Sequence, residues 1–331
     1  MDENRTGIIQ EEEGRSKFLN LIINNRAFSL LLLIIAVSIL MSAFFPESFF
    51  SYTNLSSILL ALSIEGSLAV GMMLLIVGGV FDISIGSNLA VGGAVTAFLI
   101  RRAGVPIPIG MIAGIVACMA AGAANGIIVT KVGVNPLITT LAMLGILRGI
   151  AVLIAGPGIA ALPPKFTILG QKMILGLQIP SYYLFAITII GTFLLSKTRY
   201  FRQLYYIGGN PKAAALSGIK VAKTLTVNFI IMGVIAGITG VILAARLNSA
   251  IGLVGAGVEL RVLTGVIIGG GSLSGGKGTI PGAFMGALFM GFIYNVMVIA
   301  GVNVYYQSIV IGIILLSAVS LDVILLKKFQ I

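Results

Sequence analysis

An all-α, polytopic membrane protein of about ten transmembrane helices is the fold this sequence predicts, and three observations predict it. Of its 331 residues 58% are hydrophobic and only 9% are charged, where a water-soluble chain carries about 25% charged residues. The apolar residues run in unbroken blocks: Ala27–Phe45, Pro106–Thr130, Leu225–Ala245, Ile280–Ala300 and Val304–Leu321 contain no charged side chain. Each is close to the length a helix needs to cross about 30 Å of hydrocarbon. The charge that remains is basic, a formal net +11, and it is gathered in a few places.

Taken in order, the polar stretch 1–26 carries Arg5, Arg15, Lys17 and Arg26. It reads as a cytosolic tail, not a signal peptide, because the apolar run behind it is too long and lacks a small-residue cleavage site. Ala27–Phe45 is then the first retained span. Further spans fit at Ile58–Val77, Ser87–Ile100, Leu137–Ala155, Tyr182–Ser196 and Glu259–Gly271, which brings the expectation to ten within a membrane domain 27–326. Both termini, including the tail 327–331 with Lys327 and Lys328, then face the cytosol. So does the loop 197–224, where Lys197, Arg199, Arg202, Lys212, Lys220 and Lys223 stand without one acidic residue. Basic residues collect on the cytosolic side of membrane proteins, so this charge calls for lipid and not for nucleic acid. Arg101 and Arg102 fall on the external side and run against the rule. Gly110, Gly114, Cys118, Gly122 and Gly126 recur every fourth residue, a spacing that lets helix backbones approach closely; Gly233 and Gly237 repeat it.

The inventory of reactive groups is short. Cys118 is the single cysteine and there is no histidine, which removes disulfides, zinc sites, haem ligation and histidine-based catalysis. No metal site is expected, and no catalytic residue. One stretch, "GGGSLSGGKGT" (269–279), imitates a phosphate-binding loop. That loop needs Ser or Thr directly after its lysine to hold magnesium, and Gly278 follows Lys277. It also sits between two apolar helices, not between a strand and a helix. The expected role is mechanical: a tight turn or a broken-helix element before Pro281. The stretch "GGVFDISIG" (78–86) echoes it weakly.

Two other segments draw attention. In 77–93 Asp82 stands between Gly-Gly and Ser-x-Gly, after a span that holds Glu65. An ionisable group at membrane depth is normally paired or faces a polar cavity. Asp82 is therefore a cap for the helix starting near Ser84, part of a helix break that gates a path, or a direct substrate contact. In "YYIGGNPKAAALSGIKVAKT" (205–224), Asn210 suits an N-cap, Pro211 the first helical turn and Gly218 a C-terminal stop. The product is a very short helix, too short to be stable alone, that either closes an ordinary loop or docks onto a partner.

The segments "GGVFDISIGS", "GAANGIIVTKVGVNPLITTLAMLGILRGIA", "IGGNPKAAALSGI" and "LTGVIIGGGSLSGGKGTIPGAFMGALF" together resemble bacterial ABC-importer permeases of the ribose and monosaccharide type, relatives of the branched-chain amino-acid permeases. The resemblance runs from about Ser51 to Leu321. It implies a transport subunit of the bacterial cytoplasmic (inner) membrane and not an enzyme. The implied partners are a second permease chain (the same or a sister), two cytosolic ATPase domains that bind the ATP and magnesium, and an extracytoplasmic solute-binding protein. It further implies that Gly209, Asn210, Pro211, Ala213, Ala214, Ser217 and Gly218 form the coupling helix that meets the ATPase. Glu65, Asp82, Ser84, Asn88, Asn125, Asn135, Thr139, Thr140 and Asn295 are the candidate path-lining residues. Arg148, Arg246, Arg261 and Glu259 are expected to anchor helices or to pair with one another. Beside a monosaccharide, the solute classes left open are a nucleoside, a branched-chain amino acid or a furanone-like signal. The rival mechanism is ion-coupled secondary transport through Glu65 and Asp82.

Overall fold

The computed structural model describes residues 26–328. Most of the expected N-terminal tail, with Arg5, Arg15 and Lys17, and the end of the C-terminal tail lie outside the described residues. The chain is helical nearly throughout. Helices α1 (Arg26–Phe44), α2 (Pro46–Phe49), α3 (Tyr52–Val77), α4 (Ile85–Arg101) and α5 (Ile107–Ile127) come first, and α5 runs on through a π-helical turn to Val132. They are followed by α6 (Pro136–Ala155), α7 (Pro164–Gln171), α8 (Ile179–Lys197), α9 (Arg199–Gly209), α10 (Pro211–Leu216) and α11 (Val221–Leu247). The last three are α12 (Val258–Ile268), α13 (Ile280–Ile299) and α14 (Val304–Lys328). Two-residue strands β1 (Ile159–Ala160) and β4 (Ser249–Ala250) pair antiparallel, as do β2 (Met173–Ile174) and β3 (Leu177–Gln178).

Each of the ten expected spans coincides with a helix. Among the described residues, seven helices are long and apolar enough to cross a membrane: α1, α3, α5 with its π turn, α6, α8, α11 and α13. Shorter apolar stretches occupy Ile85–Arg101 and Val304–Ser320. The stretch expected to span 259–271 is helical only to Ile268. Its 11 residues rise about 16 Å, roughly half the hydrocarbon thickness, and non-helical backbone at 248–257 precedes them.

Helices α3 and α11 form the middle of the bundle. Leu68, Met72, Met73, Leu75, Phe229 and Met232 are sealed in one core that also takes in Val262, Val266, Ala283 and Ala287 from α12 and α13. The glycine spacing on α5 does what its period predicts. Gly110, Gly114, Cys118, Gly122 and Gly126 are all buried. A Cβ at Gly122 would strike the carbonyl of Phe229, and one at Gly233 the carbonyl of Cys118. Backbone therefore lies on backbone along the α5–α11 seam, the arrangement that dispersion forces favour where lipid removes the hydrophobic drive.

Candidate functional site

Helix α9 is amphipathic. Leu204 and Ile207 enter the core, while Arg199, Arg202 and Tyr206 stay exposed. At Asn210 the backbone becomes extended (φ −157°), and the Asn210 Oδ1 accepts the Ala213 N–H at 3.0 Å. This cap, with Pro211 in the first turn, starts α10 as a separate six-residue helix. Ser217 Oγ donates to the Ala213 carbonyl at 3.0 Å, and Gly218, at φ +83°, turns the chain away. Only glycine enters that left-handed region without strain. Ala214 is buried in the same core as Leu204 and Ile207. Lys212, Ala213, Ala215 and Ser217 are exposed, and Leu216 is 91% exposed.

Between α9 and α10 lies a groove of about 500 Å³ lined by Tyr205, Tyr206, Gly209, Asn210, Ala213, Ala214, Ser217 and Ile219. Five of the seven expected coupling residues therefore line one groove, and the other two, Pro211 and Gly218, shape the ends of its helix. Tyr205, Tyr206, Leu216 and Ile219 were not among the expected coupling residues, although Tyr206 stands only three positions before Gly209, which was.

The foot of this elbow rests on glycine. A Cβ on Gly208 would strike the Val77 carbonyl and the Gly276 amide, and the Gly276 N–H donates to the Val77 carbonyl at 2.9 Å. Gly79 and Gly275 face each other and Gly208, all three close enough to leave no room for a Cβ on Gly275. Tyr205 Oη donates to the Gly278 carbonyl at 2.8 Å. The phosphate-loop look-alike is thus a turn that closes on itself, with the Gly275 N–H bonded to the Ser272 carbonyl at 2.9 Å. Thr279 caps α13 through the Gly282 N–H at 3.1 Å. The two echoing stretches, 78–86 and 270–278, meet here, and both touch Gly208 at the C-terminal end of α9. Ser272 Oγ donates to the buried Asp322 Oδ2 at 3.0 Å, which docks α14 on the same turn. Asp322 lies one residue beyond the charge-free run and was missed for that reason.

Asp82 is fully buried. Its Oδ1 accepts from the amide (2.8 Å) and the hydroxyl of Ser84, and its Oδ2 accepts from Asn125 Nδ2 at 3.2 Å. Asn125 Nδ2 also donates to Ser84 Oγ at 3.0 Å. Asn125 stands seven residues, about 10 Å along the helix, before Val132. Asn88 Nδ2 donates to the Cys118 carbonyl at 3.3 Å, and Cys118 Sγ to the Asn88 carbonyl at 3.0 Å. Asp82, Ser84 and Asn125 thus form one sealed polar cluster between the α3–α4 turn and α5, with Asn88 further along the α4–α5 seam. Asp82→Ala would leave three buried donors without this acceptor, at about 1–3 kcal/mol each. The melting midpoint of the detergent-purified chain should fall by about 5 °C or more, with Asp82→Asn in between. An unchanged midpoint would show that the donors find other partners.

The remaining expected path residues are dispersed. Glu65 Oε1 accepts from Arg261 Nε at 2.7 Å, joining α3 to α12, and the Arg261 guanidinium lies 5.4 Å from the Tyr294 ring centroid. Arg261 therefore pairs with Glu65 and not with Glu259, whose Oε1 accepts the Gly257 N–H. Arg148 donates to the carbonyls of Gly252 and Val254, and Arg246 to that of Leu60. These arginines anchor backbone, as the anchoring alternative requires. Asn135 is exposed and caps α6 through the Leu137 N–H. Thr139 and Thr140 are buried one turn later. Asn295 Nδ2 donates to Asn54 Oδ1 at 2.7 Å, between α13 and the start of α3.

Residues 54–319 match the family model described as branched-chain amino acid transport system / permease component. The chain is similar to the L-arabinose transport system permease protein of Escherichia coli strain K12, 36% identical over 293 residues, or 88% of this chain and 89% of that protein. It is similar to the ribose import permease protein of Bacillus subtilis strain 168, 35% identical over 322 residues, or 96% and 98% of the two chains. It is also similar to the D-allose transport system permease protein of Escherichia coli strain K12, 35% identical over 296 residues, or 89% and 90%. No solved structure matches it.

Proposed function

Because this chain belongs to the family of permease components of branched-chain amino acid transport systems, we propose that it is the membrane subunit of an ATP-driven monosaccharide importer whose push is received on α10. The observation that carries this reading is the α9–α10 elbow. A capped helix, with its inner side sealed in the core and an outer side carrying an exposed leucine beside a groove, is a docking surface built on a rigid base. The choice of a monosaccharide is supported by the relatives, whose names specify arabinose, ribose and allose.

In this reading ten segments cross the bacterial inner membrane, with α4, α12 and α14 completing the seven long spans. Both termini and the loop 197–224 face the cytosol. The permease domain 27–326 pairs with a second permease chain. Two cytosolic ATPase domains bind the nucleotide and its magnesium, and an extracytoplasmic binding protein delivers the sugar. Closure of the ATPases moves α10, and the bundle alternates between outward and inward access. Path contacts are drawn from Glu65, Asp82, Ser84, Asn88, Asn125, Asn135, Thr139, Thr140 and Asn295 as the seams around them part. The chain itself needs no cofactor.

The test is uptake in proteoliposomes holding this chain, its ATPase and its binding protein. Arabinose, ribose or allose should accumulate only with ATP and should continue to do so after a protonophore and a sodium ionophore collapse the ion gradients. Accumulation that stops with the gradients while ATP stays high would reverse the reading in favour of secondary transport.

A further inference from the structure

At the ends of two membrane-crossing helices, α5 with its π turn and α11, lies a second groove of about 630 Å³. Its walls are apolar, with Ile127 on one side and Val221 and Val227 on the other, and its charged lining consists of Lys131, Lys220 and Lys223. All three lysines are exposed, and among the described residues none is ion-paired. None of the five carboxylates among the described residues, Glu47, Glu65, Asp82, Glu259 and Asp322, lines the groove. Thr226, which also lines the groove, meets Thr130 across the seam, with 2.8 Å between their Oγ1 atoms.

We propose that this groove is a binding site for an anionic phospholipid of the cytosolic leaflet, with Lys131, Lys220 and Lys223 around the headgroup phosphate and an acyl chain against Ile127, Val221 and Val227. Three unpaired cations above an apolar cleft match a ligand that is anionic at one end and hydrocarbon at the other. A soluble phosphate compound would leave the apolar walls wet. Basic pockets between membrane helices on the cytosolic side bind acidic headgroups in this way, and lysine stems pack on hydrocarbon while their ammonium groups reach the interface. Lys220 ends the segment that joins α10 to α11 and Lys223 lies in the first turn of α11, so an occupied site holds the start of α11 against the end of α5. The cytosolic placement rests on the topology proposed above.

The experiment uses the full chain, reconstituted in vesicles of equal phosphatidylglycerol and phosphatidylethanolamine with identical acyl chains, extracted gently, and analysed for retained lipid. The wild type should retain phosphatidylglycerol roughly tenfold or more over phosphatidylethanolamine. Lys131→Gln, Lys220→Gln and Lys223→Gln combined should bring the ratio near one, and the corresponding arginine triple variant should restore the preference. These side chains are exposed, and elution of each variant as a single species checks that packing is intact. No preference in the wild type, a preference that survives the glutamine triple, or release of the lipid by excess inorganic phosphate would overturn the proposal. So would a glutamine triple that keeps its lipid ratio but loses association with the ATPase, since the lysines would then serve a protein partner. Lipid retention is read without reference to sidedness, so it can fail while the topology stands and the reverse.

Discussion

Leu216→Arg should uncouple the importer. Leu216 is 91% exposed at the end of α10, the helix whose Ala213 and Ala214 line the groove formed with α9. An exposed apolar side chain on a rigid stub gains about 1.5–3 kcal/mol when a partner buries it, on the order of 10- to 100-fold in association. An arginine there adds a desolvation cost to a loop already rich in positive charge. ATP-driven uptake should fall at least tenfold while the chain still inserts and melts normally. Ala214→Arg is a poorer probe, because Ala214 is buried and the charge would damage the elbow before it reached the partner. Wild-type uptake by Leu216→Arg would remove α10 as the docking site.

Gly275→Val should break the link between the elbow and the bundle. Gly275 has φ +83°, a region where a β-branched residue is strained by about 1–3 kcal/mol. Its Cβ would also come within 2.7 Å of the Gly208 carbonyl oxygen and 2.8 Å of the Cα atoms of Gly208 and Gly79. All these neighbours are backbone, so no rotamer change relieves the overlap and overpacking adds about 1–3 kcal/mol more. The three turns must separate. Protease cleavage within 197–224 should become much faster in inside-out vesicles, and uptake should be lost. Gly209→Ala is the comparison, since a Cβ there meets nothing within 4 Å, and its cleavage pattern should match the wild type. Equal cleavage of Gly275→Val and wild type would show that the junction is not what holds the elbow.

Much of this architecture is legible in the sequence because lipid imposes a plain rule: long charge-free blocks become helices. The α5 glycine spacing and the Asn210–Gly218 caps are equally readable, since both follow from local backbone geometry. What could not be read is how distant turns meet. Nothing in "GGVFDISIG" or "GGGSLSGGKGT" alone says that Gly79, Gly208 and Gly275 share one point, because glycines record the absence of a side chain and not the identity of the neighbour. The partner of Glu65 was hidden for a similar reason. Arg261 lies 196 positions away, and Glu259, its near neighbour in sequence, is drawn instead to the Gly257 amide. Path residues were the least legible: a polar side chain in an apolar run marks only the need for a partner, and Asp82 finds that partner inside the protein.

The strand pair Ile159–Ala160 with Ser249–Ala250 has a mechanical corollary. It is reinforced by the Leu162 amide on Asn248 Oδ1, by Gln171 Nε2 on the Arg246 carbonyl, and by Arg148 on the carbonyls of Gly252 and Val254. Sliding α6 and α7 past the end of α11 would have to rupture these bonds together. They therefore act as a latch that makes this end of the molecule travel as one block, and any rocking that opens a passage must find its hinge elsewhere.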